Sequence, residues 1–247
     1  MTSDAAALIH DLRDVAPTAI PAALARLHRT LQPGDQVELL LPTGLVDAAG
    51  PPPLDDLLSG AGFAADTTTG TGHEPESAPL SVIRRWTLAD TVGPDLDLLV
   101  CGLNPSPAAA DDGVGFAGPS NRFWPAAIAA GLVSVDRDAH AALEVGVGMT
   151  DLVKRTTRRA DELTSAEYAQ GVARLERLCD WLRPSAVCLV GLAGWRAAVD
   201  RKAAAGWQAA SLGPSPVYLM PSTSGLNAHE TVGSLTDHVL AAAAGPD

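Results

Sequence analysis

A chain of 247 residues, 47% of them apolar, is long enough for one large domain, or for one domain and a fragment. Its formal net charge of −12 excludes indiscriminate, charge-driven binding to nucleic acid. No apolar run reaches membrane-spanning length, because charges interrupt every Ala-rich segment, and no membrane partner is expected.

Residues 5–31 carry Leu8, Leu12, Val15, Leu24, Leu27 and Leu31 at helical spacing and read as helix, broken near Pro17 and Pro21. Gln32-Pro-Gly-Asp35 is a turn. Val37 to Leu41 reads as a strand, and Leu54 to Leu58 as a short helix ending at Gly60. The stretch from Asp66 to Pro79 is rich in Thr, Gly and Pro and reads as a mobile loop; Ser81 to Leu88 reads as another strand. From Asp95 the pattern alternates. Strands are expected at Asp97–Cys101, near Val145–Met149, at Ala186–Val190 and at Val217–Met220. Helices are expected at Phe123–Ala130, Ser165–Trp181, Trp195–Ala204 and Thr231–Ala243, with Thr164-Ser-Ala-Glu167 as a capping box. This alternation predicts βαβ units: a three-layer α/β/α domain with a mostly parallel central sheet over residues 91–247, preceded by a small α/β fragment over residues 1–90.

The acid is uneven. Residues 1–90 hold 12 acidic and 5 basic residues, and residues 91–247 hold 17 acidic and 12 basic. The one tight basic cluster, Lys154, Arg155, Arg158 and Arg159, lies in the second part and is either a phosphate-facing patch or a solvated loop. Cys101, Cys179 and Cys188 form no close pair and read as small buried hydrophobes of a reducing compartment. Met1-Thr-Ser-Asp lacks the basic start and apolar core of a signal peptide, and a cytoplasmic location is expected.

Three stretches are dense in residues that carry chemistry. Leu98-Leu-Val-Cys-Gly-Leu-Asn-Pro-Ser106 is a buried strand that stops abruptly, which places Asn104 just beyond its carboxyl end, where open α/β sheets bind ligands. Phe116-Ala-Gly-Pro-Ser-Asn-Arg-Phe-Trp124 begins twelve residues after Asn104, and Met220-Pro-Ser-Thr-Ser-Gly-Leu-Asn227 joins the last strand to the last helix. An asparagine amide orients a water but does not take its proton at neutral pH. Asn121 stands at the start of a helix, where it can cap. Phe123 and Trp124 read as core, and His229 as surface. Gly113-Val-Gly-Phe-Ala-Gly118 matches G-x-G-x-x-G, but residues 102–112 separate it from the strand it should follow, so a dinucleotide site is a poor fit.

These stretches, with Gly148-Met-Thr-Asp-Leu-Val-Lys-Arg-Thr-Thr157, resemble the mismatch-specific uracil/thymine DNA glycosylase family of the uracil-DNA glycosylase superfamily, from about Asp95 to the C-terminus. The resemblance implies a monofunctional glycosylase acting on uracil, and on thymine or modified cytosine, mispaired with guanine in double-stranded DNA. Asn104 would position the water, Phe116 would stack on the flipped base, and Gly102, Leu103, Ser106 and Asn121 would complete the base pocket. Ser222, Thr223, Ser224, Gly225, Leu226 and Asn227 would form the DNA-inserting loop, with Leu226 as wedge, and Lys154 and Arg155 would contact phosphates. Two departures stand out: Ser222 and Thr223 replace the Asn-Pro frequent in bacterial members, and Asn227-Ala-His229 supplies no arginine wedge. The two-carboxylate template of glycoside hydrolysis is not met, so slow turnover is expected. Neither Lys154 nor Lys202 stands in a base-pocket motif, and no lyase step is expected. Three cysteines cannot hold the iron–sulfur cluster of some superfamily relatives; no metal, no cofactor and a monomer are expected.

Residues 27–39, 57–63 and 83–87 loosely resemble the closing half of a class I methyltransferase fold without the parts that bind the methyl donor. A degenerate fragment is expected over residues 1–90, and residues 91–247 are expected to fold and act without it. Two other functions compete: a non-catalytic damaged-DNA-binding module on the same fold, and a methyltransferase-like nucleotide-binding regulator.

Overall fold

The computed structural model describes residues 8–43, 45, 52–66 and 78–246. Sheet B is five-stranded and holds β5 (Leu98–Gly102), β6 (Val147–Asp151), β7 (Ala186–Val190), β8 (Gly206–Trp207) and β9 (Val217–Met220), in the order β6-β5-β7-β9-β8. All pairings are parallel except that of the edge strand β8 with β9. Alternation along the strands makes two cores. Leu99 and Cys101 join Val187, Leu189, Val217 and Leu219 beneath α6 (Ser165–Leu182) and α7 (Ala193–Ala198). Leu98 and Val100 join Cys188, Tyr218 and Met220 against α4 (Phe123–Ala129) and α8 (Val232–Ala244). The result is the expected three-layer α/β/α arrangement. The chain leaves β5 for β6 on one side and returns to β7 on the other, so the carboxyl end of β5 is a topological switch point.

The first part builds a separate four-stranded sheet from β1 (Leu8–Asp11), β2 (Gln36–Leu40), β3 (Phe63–Ala65) and β4 (Leu80–Arg84), in the order β1-β2-β4-β3. Its core, including Ile20, Leu24, Val37, Leu39, Leu58, Phe63 and Val82, lies against α1 (Ile20–Thr30) and α2 (Leu54–Gly60).

Several expected elements change. The helix over 5–31 begins only at Ile20, after a 3-10 turn over Pro17–Ala19, and Leu8–Asp11 pairs in parallel with β2 instead. Proline at 17 and 21 leaves the upstream segment too short to hold a helix, whereas pairing supplies ladder hydrogen bonds. The strand expected to reach Leu88 ends at Arg84, and β6 starts two residues later than expected because Gly146, at φ 81°, turns the chain into it. Short α3 (Pro107–Asp112) and α5 (Ala139–Glu144), with β3 and β8, are additions. The capping box at Thr164 and Glu167 forms as expected. The loop expected between Asp66 and Pro79 lies outside the described residues over 67–77.

A buried ion cluster joins the two parts. Asp90 takes Lys154 Nζ and Arg174 Nη1, both at 2.7 Å, and the Thr150 hydroxyl at 2.6 Å. Burial alone would raise its pKa; Arg174 and Lys154 outweigh burial and hold it below the usual carboxylate range. A boundary after residue 90 therefore cuts off the carboxylate that neutralises two inward cations. Removing one member of a buried pair costs about 3–5 kcal/mol. A chain starting at residue 91 is expected to melt well below the full chain, while one keeping residue 90 recovers much of the difference; equal melting temperatures for all three would overturn this.

Candidate active site

A cleft of about 250 Å³ opens at the carboxyl ends of β5 and β6. It gathers Gly102, Leu103, Asn104, Ser106, Phe116, Asn121, Ser224 and Gly225, residues drawn from all three dense stretches. Asn104 follows β5 directly. Its Nδ2 donates to the Thr157 hydroxyl at 2.8 Å and the Arg155 carbonyl at 3.0 Å, with the Pro105 carbonyl at 3.2 Å. These bonds fix the amide plane and commit its donors. Oδ1 remains to accept from a ligand or a water.

The cleft holds a carboxylate that the sequence did not reveal. Asp151 ends β6 opposite Gly102 in the parallel register, and it lines the cleft. It is buried, and its Oδ2 meets no hydrogen-bond partner among the described residues. Burial pushes its pKa up to about 6; Asp90 adds to the rise, while Lys154 and Arg174 oppose it. Gly102 makes room for it: a Cβ there would lie 2.4 Å from Asp151 Oδ1 and 3.4 Å from Phe116 Cζ.

Phe116 is half-buried and adopts φ 58°, a left-handed backbone that a bulky residue rarely takes. Its ring stacks on Phe123, with centroids 4.4 Å apart and planes at 28°. Phe123 and Trp124 are core, as expected. One face of Phe116 is thus backed by Phe123 while the residue lines the cleft, which makes a shelf on which a planar ring can stack. Asn121 Oδ1 accepts from the Phe123 amide at 2.9 Å, so its acceptor caps the start of α4 while the residue borders the cleft.

The loop after β9 is tied to the cleft by Arg122, whose partners no local sequence pattern announces. Its guanidinium donates to the carbonyls of Ser224 at 2.7 Å, Asn227 at 2.6 Å and Glu230, and its amide donates to the Thr223 carbonyl at 2.9 Å. Gly225 approaches so closely that a Cβ would lie 2.4 Å from Ser120 Oγ. Leu226 projects from the loop at 95% exposure. Charge-assisted bonds of this kind contribute about 1.5–3 kcal/mol each. If this loop enters duplex DNA, as the resemblance implies, Arg122→Gln is expected to lower action on duplex substrate roughly tenfold or more while leaving single strands less affected; identical losses on both would remove Arg122 from loop positioning.

Three residues expected at the DNA are engaged within the protein. Lys154 points inward to Asp90, with only 9% of its side chain exposed, and its charge is compensated there. Thr223 is 1% exposed, so its side chain lies beneath the loop surface. Asn227 turns its side chain onto the loop, donating to the Ser222 carbonyl at 2.9 Å. Arg155 is half-exposed but forms an ion pair with Glu167 at 2.6 Å. Ser222 and Ser224 accept loop amides through their hydroxyls at 3.3 Å, and Ser106 caps α3 by accepting from the Ala109 amide at 3.2 Å. Gly113 caps the end of α3 at φ 67°, so the G-x-G-x-x-G run follows a helix rather than a strand. All three cysteines are buried, and burial pushes the Cys179 and Cys188 thiols up to about 12. Among the described residues no cluster of metal-ligating side chains is found, and no helix is long and apolar enough to cross a membrane.

Residues 89–243 match the model of one protein family, described as the Uracil DNA glycosylase superfamily. The matched span holds the whole of sheet B and every residue of the cleft except Leu88.

Proposed function

Since the chain belongs to the uracil DNA glycosylase superfamily, a family of DNA N-glycosylases acting on uracil, we propose that it is a monofunctional enzyme that removes uracil, and more slowly thymine or a modified cytosine, from mispairs with guanine. The observation that carries this reading is the convergence of Asn104, the Phe116 shelf and the Asp151 carboxylate in one cleft. In the proposed reaction the flipped base lies on Phe116 while its bond to the sugar C1′ breaks, and the base departs as an anion. Asn104 Oδ1 orients a water against the cationic sugar. As the water oxygen bonds to C1′, its proton passes to Asp151. The products are the free base, once protonated, and an abasic site. Lys154 is engaged by Asp90 and is not used as an amine nucleophile, so the proposed reaction has no lyase step.

The decisive experiment is single-turnover base release from duplexes carrying one G·U, G·T or A·U pair, and from the matching single strand, scored as alkali-labile sites. Release from G·U ahead of A·U is expected. Tight binding to every lesion without release would instead make the chain a damage-binding module. The reading of residues 1–90 as a degenerate methyltransferase-like fragment rests on the resemblance alone; binding of the methyl donor in calorimetry would overturn it.

Leu226→Ala separates the wedge from general packing. Flipping a base costs roughly a few kcal/mol of stacking in a duplex, and a buried leucine side chain recovers about 1.5–3 kcal/mol. The substitution is expected to lower duplex rates about tenfold or more relative to single-strand rates. Equal losses would make Leu226 a packing residue only.

A further inference from the structure

A second cavity of about 890 Å³ lies at the seam between the two parts, away from the base pocket. Its wall includes Arg84 and Arg85 at the end of β4, Trp86 and Thr87 beyond it, Ser59 at the end of α2, and Thr156 from the loop that also carries Arg155. The volume is that of a small-molecule site rather than of a packing defect. One lining carboxylate, Asp55, is found among the described residues.

The charges in this wall are unequal in what they meet. Lys154 is held by Asp90 and Arg155 by Glu167. Arg84 is only 6% exposed, yet its Nε and Nη1 have no hydrogen-bond partner among the described residues. The carboxylates of Asp111 and Asp35 attract it through space but do not bond to it. Arg85 is exposed, and its side chain has no ion-pair partner among the described residues. A buried guanidinium whose donors lack hydrogen bonds is costly, and an anion entering the cavity would relieve that cost. Arg84 and Arg85, neither in an ion pair among the described residues, thus stand side by side at one large cavity. Arginine forks match phosphate oxygens, the hydroxyl of Ser59 can add a donor, and Trp86, 46% exposed, offers an aromatic face for a base. Thr87 and Thr156 are already bonded to the carbonyls of Lys154 and Trp86 respectively, which braces the wall between this cavity and the loop that holds Asn104.

We propose that the seam cavity is a binding site for a phosphorylated nucleotide unit, with Arg84 and Arg85 taking the phosphate and Trp86 the base. The unit is either a free nucleoside monophosphate or a nucleotide of the DNA strand leading away from the lesion. This goes beyond the proposed glycosylase chemistry; the free-nucleotide source does not depend on that reading, and the DNA source rests on it.

The test uses the full chain and tryptophan fluorescence, confirmed by calorimetry. The probes are adenosine, adenosine 5′-monophosphate and a lesion-free oligonucleotide, titrated into wild type, Arg84→Gln and Arg85→Gln. A phosphate-bearing probe is expected to bind, adenosine is not, and each substitution is expected to weaken binding at least tenfold. Binding of the monophosphate identifies a free nucleotide as the source; binding of the oligonucleotide alone identifies DNA. Arg85→Gln is exposed and keeps the test open should Arg84→Gln unfold. Equal affinity in wild type and Arg85→Gln, equal binding of adenosine, or no binding of either phosphate-bearing probe overturns the proposal. Uracil release, measured in parallel on the same proteins, reads the base pocket separately, so a silent seam and a silent active site are told apart.

Discussion

Asn104→Ala is expected to lower single-turnover base release by about 10²–10³-fold, the size of effect seen when one preorganised polar contact to a transition state is lost. Affinity for lesion duplex should change far less, because Phe116, Arg122 and Leu226 are untouched. The argument rests on the geometry of the amide. Its nitrogen is committed to Thr157 and Arg155, which leaves the oxygen as the group presented to the cleft. A misplaced water loses the orientation on which attack at C1′ depends. The substitution also removes the tether on residues 155–157, so a modest fall in DNA affinity is expected alongside. Base release at the wild-type rate would sink the assignment. Loss of duplex binding in step with loss of rate would reduce Asn104 to a brace for the loop.

The same asparagine shows what the sequence made legible. Leu98 to Cys101 is apolar throughout, and such a run followed by Gly, Asn and Pro points to a strand end at a parallel sheet's carboxyl edge; β5 and Asn104 stand there. Phe116 was legible as a pocket residue, although nothing in its neighbours announced the left-handed backbone that aims it. Other features depend on pairings that only the fold creates. Lys154 belongs to a basic run that looks like surface, and the carboxylate that buries it lies 64 residues upstream. Arg122 sits between two motif residues, and its partners are carbonyls about a hundred residues downstream. Leu8, Leu12 and Val15 keep helical spacing, but a short segment before two prolines gains more from pairing with β2 than from turns it cannot complete. The place of Asp151 depends on where β6 begins. Starting β6 at Val145 leaves residue 151 in a loop, whereas starting it at Val147 sets Asp151 opposite Gly102 and in the cleft.

That carboxylate leads to the second large effect, which appears in pH. Asp151 is pushed up to about 6, chiefly by burial. Below that value it is a neutral acid and cannot accept a proton from water; above it the carboxylate is available. Base release by the wild type is therefore expected to rise through about pH 6 and level off above it, and Asp151→Asn is expected to be slower by roughly 10²–10⁴-fold, with the rise abolished. Stability should move the other way. A carboxyl whose folded pKa exceeds its unfolded value favours folding below the unfolded value and loses that contribution as pH rises through the folded one. The cost of ionising Asp151 is thus fully present above about pH 7, where a shift of roughly two units corresponds to about 3 kcal/mol. Asp151→Asn removes this cost, so the variant is expected to melt above the wild type at neutral pH, and the two should converge below about pH 4. Slower chemistry with a higher melting temperature is the signature of a charge kept buried for function. A structural carboxylate would give the reverse: lower stability and an unchanged pH profile. If Asp151→Asn retains both the rate and the rise near pH 6, the proton acceptor lies elsewhere, and Asn104 acts with solvent alone.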